Sequence, residues 1–412
     1  MKKIIFILFL ILNSSVLFAQ EKVDNQAEFG IKFNGYVKTD IMYDSRQIIA
    51  AREGHYLLYP AAELLDINSK DINAKDNLNI LAIQTRLTSR ISAPNALGAK
   101  VSGLIEAAFF GQTEGDINGF RLRHAFLKMQ WEKSSLLIGQ YWHPMFVTEV
   151  HPATLSSNAG LPIQPVSRNP QIKYTYQAGD FHLSLTALSQ LDFMNFGPDG
   201  ASTSYLRNSA LPIMDFTIKY KSKNIVAGAG ANYKKLHPRL QNTDGTNIYL
   251  ADEEISSTAF IGFAKFKKNK FTWKIEGIYG GNLTDHVMLG GYAVKDTNSL
   301  GFESEYTDIK TVSGWTEFSY GDDLQVALFS GYTENLGADD NIISDYYYSR
   351  GSNMAYVMRF SPRIQYKVGK ALYGVEVEYT VAEYGTPDIK GVVQNGETVG
   401  NLRILLAGYL FF

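Results

Sequence analysis

The chain has 412 residues, a formal net charge of −2, no cysteine, and 25 Tyr and 24 Phe. Scattered, near-neutral charge excludes a basic surface built for nucleic acid, and the lack of cysteine excludes a disulfide framework. A soluble chain of this length would ordinarily divide into two or three domains, yet no Pro/Ser linker or change of composition divides this one.

The chain opens on Met1-Lys2-Lys3, runs apolar from Ile4 to Leu12 and reaches a small residue at Ala19. These features predict a cleaved secretory signal over residues 1–19, a short periplasmic segment over 20–32, and a single barrel over 33–412. No later stretch reaches the ~18–20 consecutive apolar residues of a membrane-spanning helix. A membrane-resident mature chain must then span as a closed antiparallel β-barrel, because lipid offers backbone groups no partners.

Strand alternation carries this reading. From residue 33, Phe33, Val37, Ile41 and Tyr43 alternate with Asn34, Lys38, Asp40, Asp44 and Arg46, a side too charged for lipid. Residues 78–91 read as one strand, with Leu81, Ile83, Leu87 and Ile91 outward and Gln84, Arg86, Thr88 and Arg90 inward. Residues 356–368 set Met358, Phe360, Ile364 and Tyr366 against Arg359, Ser361, Arg363 and Lys367, and residues 371–383 set Tyr373, Val375, Val377 and Tyr379 against Glu376, Glu378 and Thr380. Turn-forming residues at 93–98, 132–135, 179–180, 223–224, 267–270, 321–323 and 369–370 alternate with long polar segments, as periplasmic turns and extracellular loops do.

Strand starts near 33, 78, 99, 120, 135, 169, 181, 213, 225, 255, 271, 311, 324, 354, 371 and 398 give about sixteen strands, within the range of bacterial barrels. Those near 120, 135, 311 and 324 alternate poorly, which would follow from outer faces buried against neighbouring subunits or from a miscount. The last strand ends on Phe412 with Leu402, Ile404, Leu406 and Leu410 on one face. It resembles the C-terminal signal by which barrel proteins are recognised for insertion. An exported β-sandwich or propeller would also show many short strands, but not this asymmetry of turns and loops.

Three stretches carry a family resemblance: residues 35–54, with Gly35-Tyr36-Val37-Lys38-Thr39-Asp40 and Ala51-Arg52-Glu53-Gly54; Arg121-Leu122-Arg123-His124-Ala125-Phe126 leading to Leu137-Ile138-Gly139-Gln140-Tyr141-Trp142; and Arg168-Asn169-Pro170-Gln171-Ile172-Lys173-Tyr174. Together they resemble DcaP-like porins over most of residues 31–178 and the C-terminal strand. The resemblance implies a sixteen-stranded homotrimer in the outer membrane, a third extracellular loop folded into the pore, and dicarboxylate uptake. The third long connection here is residues 143–167.

Selectivity in a channel follows width and charge at its narrowest point. Residues 143–167 contribute one acid, Glu149, with His143 and His151. On alternation the facing wall contributes Lys38, Arg46, Arg86, Arg90, Arg359, Arg363 and Arg403, with Asp40, Glu106, Glu376 and Glu378 interspersed. A net-positive constriction would favour small anions such as carboxylates, which arginine binds through paired hydrogen bonds. The alternative is that wall acids balance the arginines and the set only stabilises a wet interior.

No metal site is expected, since the His residues show neither an HExxH motif nor a tight cluster. Asp339, Asp340 and Asp345 could offer oxygen ligands to calcium, though a solvated external loop is the favoured reading. No cofactor is expected. The expected function is passive diffusion of small hydrophilic solutes through a barrel held in outer-membrane lipid. An outer-membrane enzyme of the lipid-hydrolase type is the alternative from another class, and no GxSxG motif favours it. A structural or adhesive barrel would require a filled lumen.

Overall fold

A computed structural model describes residues 28–111, 114–343 and 346–412; the expected signal segment and Asp345 lie outside them. Among the described residues, 16 strands close into an antiparallel barrel. In chain order they are β1 (Gly30–Asp44), β2 (Arg86–Ala96), β3 (Ala99–Phe109), β4 (Phe120–Gln130), β5 (Ser134–Trp142), β6 (Arg168–Ala178), β7 (Phe181–Leu188) and β8 (Ile213–Lys221). The second half comprises β9 (Ile225–Leu236), β10 (Ile255–Lys268), β11 (Phe271–Gly281), β12 (Glu303–Gly321), β13 (Leu324–Gly337), β14 (Met354–Val368), β15 (Ala371–Pro387) and β16 (Val393–Phe411). Short strands Asn77–Leu81, Gly290–Thr297 and Tyr347–Arg350 extend the sheet within loops.

Each strand pairs with its chain neighbours, and the ring closes where β1 pairs with β16 from Tyr36↔Phe411 to Asp44↔Arg403. No edge is left, so every strand finds backbone partners on both sides. Tight turns fall at residues 97–98, 131–133, 179–180, 222–224, 269–270, 322–323 and 369–370, as the turn residues predict. At the first of these, Leu97 and Gly98 take φ of 51° and 70°, the positive values a two-residue hairpin turn uses to follow strand twist.

Three readings of alternation are corrected. Residues 78–91 are not one strand. β1 pairs with Asn77–Leu81 up to Asp40↔Leu81 and with β2 from Tyr36↔Arg86, so four steps on β1 face five on the partner. The extra residue reverses the facing, because side chains alternate with a period of two; Ile83, expected in lipid, is 6% exposed inside the barrel. On β12 and β13 alternation fails for another reason. Trp315 and Phe329 point inward and pack against Met145, Val150 and Ile163 of the loop 143–167, so apolar inner faces receive a loop and need no neighbouring subunit. On β4 a register shift between Glu106↔His124 and Ala107↔Leu122 breaks the pattern.

The interior is therefore partly a core. Loop 143–167 enters the barrel, and so do two others. Tyr56, Leu58 and Tyr59 of loop 45–85 and Val287 and Leu289 of loop 282–302 join Phe146 and Leu161 in one buried cluster. Burial of each such side chain contributes about 1.5–3 kcal/mol. Loop carbonyls taken inside lose water and need donors, and Arg359 of β14 supplies them. Its guanidinium donates to Leu161 O at 2.6 Å, Leu57 O at 3.0 Å and Leu58 O at 3.1 Å.

Arg359 thus ties two loops to one strand. Replacing it with Met leaves three buried carbonyls unpaired, and hydrogen bonds to a charged group contribute about 1.5–3 kcal/mol each. The Arg359→Met barrel is expected to lose about 3 kcal/mol or more in urea unfolding, and residues 48–60 should become accessible to protease in the folded barrel.

Candidate functional site

The loop 143–167 crosses the barrel and returns, and its anchors trace its path. Glu149 meets Lys219 of β8 at 2.6 Å. His151 O accepts from Lys274 of β11 at 3.0 Å, and the Ala153 N–H donates to Glu317 of β12 at 2.8 Å. Leu155 is held twice, its N–H donating to Glu376 of β15 and its carbonyl accepting from Lys38 of β1 at 2.8 Å. Asn158 then donates to Glu378 at 2.8 Å. On the return, Ile163 O accepts from Ser313 at 2.6 Å, and the Val166 N–H donates to His286 O of loop 282–302 at 3.0 Å.

Most charges expected on the pore wall are occupied in this docking. Lys38 pairs with Asp40 at 3.1 Å, and Asp40 also meets His55 of loop 45–85 at 3.0 Å. Burial holds the His55 imidazole below its ordinary value, against the pull of Asp40. Arg363 pairs with Glu317 at 3.0 Å and Arg403 with Asp44 at 2.7 Å. Lys38, Arg359, Arg363, Glu376, Glu378 and Arg403 are all buried. Arg46 lies beyond the end of β1 and serves loop 45–85, reaching Asp71 at 3.1 Å and Ala61 O at 2.8 Å. Arg86 meets Glu106 at 3.5 Å. Arg90 is exposed and makes no salt bridge among the described residues.

Water reaches the opposite side of the lumen. A cavity of about 370 Å³ lies beneath the first part of the loop, between β4 and β10, with Lys128, Lys173, Lys219, His182 and Glu149 among its lining. Lys128 and Lys173 are half-buried and form no salt bridge among the described residues. Burial alone would raise the Glu149 carboxyl, but Lys219 and Lys221 lower it to about 2. The lysines are missing from the sequence reading, although alternation marks two of them: Lys173 lies between the exposed Ile172 and Tyr174, and Lys219 follows the exposed Phe216 and Ile218 on the opposite face.

The cavity ends against Trp142 and Phe146, whose rings stack at 3.9 Å. Arg168 and Arg123 approach the Trp142 ring at 5.1 and 5.8 Å, placing cations over an electron-rich face. Behind the stack, Asp192 of loop 189–212 receives Arg168 at 2.6 Å and Arg121 at 2.8 Å, while Arg123 meets Glu106 at 2.8 Å. Among its described residues, loop 338–353 provides no comparable cluster. Asp339 pairs with Lys310 at 2.5 Å and Asp340 lies 3.7 Å from Lys295, and no group of three or more potential metal ligands occurs among the described residues.

The closed antiparallel barrel with an inward third loop has the fold of the outer-membrane porins, and in fold it is DcaP-like. Among solved structures the chain is similar to the outer membrane channel DcaP of Acinetobacter baumannii, with a TM-score of 0.68 and 18% identity over 96% of this chain and 100% of that one. It is also similar to an anion-selective porin from Comamonas acidovorans, with a TM-score of 0.54 and 12% identity over 93% of this chain and 100% of that one. A third likeness is to OmpT, an outer membrane protein of Vibrio cholerae in its trimer form, with a TM-score of 0.55 and 12% identity over 94% of this chain and 100% of that one. No protein-family model and no curated protein matches the chain.

The Trp142–Phe146 stack closes the upper end of the cavity, so removing the indole should widen the path there. Trp142→Ala is expected to raise single-channel conductance several-fold in planar bilayers. An unchanged conductance would place the narrowest point elsewhere.

Proposed function

We propose that the protein is an outer-membrane porin through which small hydrophilic solutes diffuse passively, with a preference for small anions such as carboxylates. The carrying observation is the lysine-lined cavity beneath loop 143–167, where Lys128 and Lys173 have no ion-pair partner among the described residues and Glu149 pairs with Lys219 and Lys221. The cavity holds only about 370 Å³, so the fields of these cations, screened over ~10 Å at 0.1 M salt, overlap across it. A solute entering the cavity exchanges water for a net-positive lining, which favours anions and disfavours cations.

The buried arginines contribute little to that field, because Asp44, Glu317, Asp192 and Glu106 lie against them. Arg90, exposed on β2, adds to it. The reading needs no cofactor and no chemistry. The anion-selective porin and the trimeric OmpT to which the chain is similar support the anion preference and a homotrimer for this chain. Export would use residues 1–19 as a cleaved signal; the short segment expected over residues 20–32 would end sooner, because β1 already pairs with β2 from Gly30↔Ser92.

Reversal potential under a potassium chloride gradient tests the reading in planar bilayers. The wild-type channel is expected to prefer chloride, and Lys128→Gln/Lys173→Gln/Lys219→Gln to reduce that preference several-fold. Glu149→Gln should shift it the other way, by releasing Lys219 and Lys221. Cation preference in the wild type, or no response to the triple substitution, would overturn the assignment.

A further inference from the structure

The outer wall of the barrel carries a groove that the channel reading does not use. Across β10, β11 and β12, Gly262 faces Gly277 and Gly277 faces Gly314, so three adjacent strands lack side chains at one level. A Cβ at Gly262 would meet nothing within 4 Å, one at Gly277 only Ser313 O at 3.9 Å, and one at Gly314 only Glu276 O at 3.6 Å. None of the three has a φ in the left-handed region. Neither backbone conformation nor packing inside the protein therefore requires glycine. Glycine weakens a strand interior, and in such a place it marks close approach of something from outside to the backbone. The row floors a groove of about 960 Å³ walled by Ile275, Tyr332, Met358, Phe360 and Tyr379.

The same strands lead down to a second hollow at the periplasmic turn. Below the glycine level, Phe266 faces Trp273 and Trp273 faces Phe318; the last two rings lie parallel, 4° apart in plane, at 6.1 Å. Such rings sit at the level of lipid headgroups in membrane barrels. One step lower, a hollow of about 440 Å³ is lined by Phe266, Lys268, Asn269, Lys270, Phe271 and Tyr320. Lys268 forms no salt bridge among the described residues, and Lys270 meets the exposed Asp322 at 3.1 Å. From Gly262 to Lys268 the strand rises ~20 Å at ~3.4 Å per residue.

We propose that this face holds one anionic phospholipid of the periplasmic leaflet, its phosphate on Lys268 and Lys270 and an acyl chain crossing the aromatic level into the glycine-floored groove. Three features select this occupant. The surroundings of the outer wall are acyl chains, the groove is walled by apolar side chains, and Lys268 and Lys270 stand at its periplasmic end, where a phosphate would lie. A second copy of this chain would gain nothing from the lysines.

Native mass spectrometry of the delipidated full-length protein tests the proposal by titration with phosphatidylglycerol and, separately, phosphatidylcholine of the same chains. The wild type and Lys370→Gln, altered at a different turn, should each retain one phosphatidylglycerol per chain in preference to phosphatidylcholine. Lys268→Gln/Lys270→Gln should retain it several-fold more weakly, and Gly262→Leu/Gly277→Leu should lose it by filling the groove. Equal retention of both lipids, or retention unaltered by either double substitution, would mean annular lipid only and overturn the site. A glycine variant that alters subunit number with lipid retention unchanged would assign the groove to a second copy and overturn it as well. The lysine pair lies on an exposed turn and carries the test should the glycine variant fail to fold.

Discussion

Closure of the sheet between β1 and β16 is the constraint from which the rest of the molecule follows. Nine residue pairs, Tyr36↔Phe411 through Asp44↔Arg403, join the first strand to the last. In lipid an open edge would leave a row of backbone groups unpaired at several kcal/mol each, so the ring must close. Closure creates an interior that is sealed from lipid and must be either packed or wet. This protein does both, on opposite sides.

On the side of β9 to β16 and β1 the interior is packed, and polar chemistry makes that packing possible. Loops 45–85, 143–167 and 282–302 bring backbone amides and carbonyls out of water. Hydrophobic contact alone could not hold them, since unpaired buried amides would cancel the gain. Wall charges supply the missing partners: Glu317 and Glu376 accept from loop N–H groups, and Lys38, Lys274 and Arg359 donate to loop carbonyls. Those charges are in turn paired along the wall, as Arg363 with Glu317 and Arg403 with Asp44. A buried charge that lost its partner would be strongly destabilising, so the loops and the wall are held as one network.

Much of the barrel is legible in the sequence because turns and lipid-facing alternation are local signals. The turn at Gly369-Lys370 and the outward Met358, Phe360 and Ile364 need no tertiary context. Alternation reports which face a side chain takes, and is silent about what lies on the other side of it. Trp315 and Phe329 therefore read as irregularities when they are sockets for a loop. The one-residue shift between Leu81 and Arg86 is invisible for a related reason: register belongs to the pair of strands, not to either one. The inward course of loop 45–85 depends on Arg359 and Tyr384, which donates to Pro60 O at 2.7 Å, and each is more than 300 residues in sequence from the carbonyls of that loop it binds. The wet lysines were legible in principle, since Lys173 and Lys219 alternate cleanly with exposed apolar neighbours.

Lysine as well as arginine serves the packed side, where Lys38 and Lys274 donate to loop carbonyls, but the two cations differ in what they do best. A guanidinium is planar, weakly hydrated and presents a rigid fork of donors, which suits it to bind several fixed carbonyls or a carboxylate in a buried place. Arg359, Arg168 and Arg403 are used in that way, each almost fully buried with its partners. An ammonium on a flexible stem keeps its water and can follow a moving ligand, and Lys128, Lys173 and Lys219 line the cavity that water reaches. A cation already committed to a carboxylate offers a passing anion little net field, however close it lies. Selectivity on this reading is therefore decided by which cations remain uncompensated where solvent enters, and the number of arginines on the wall is a poor guide to it.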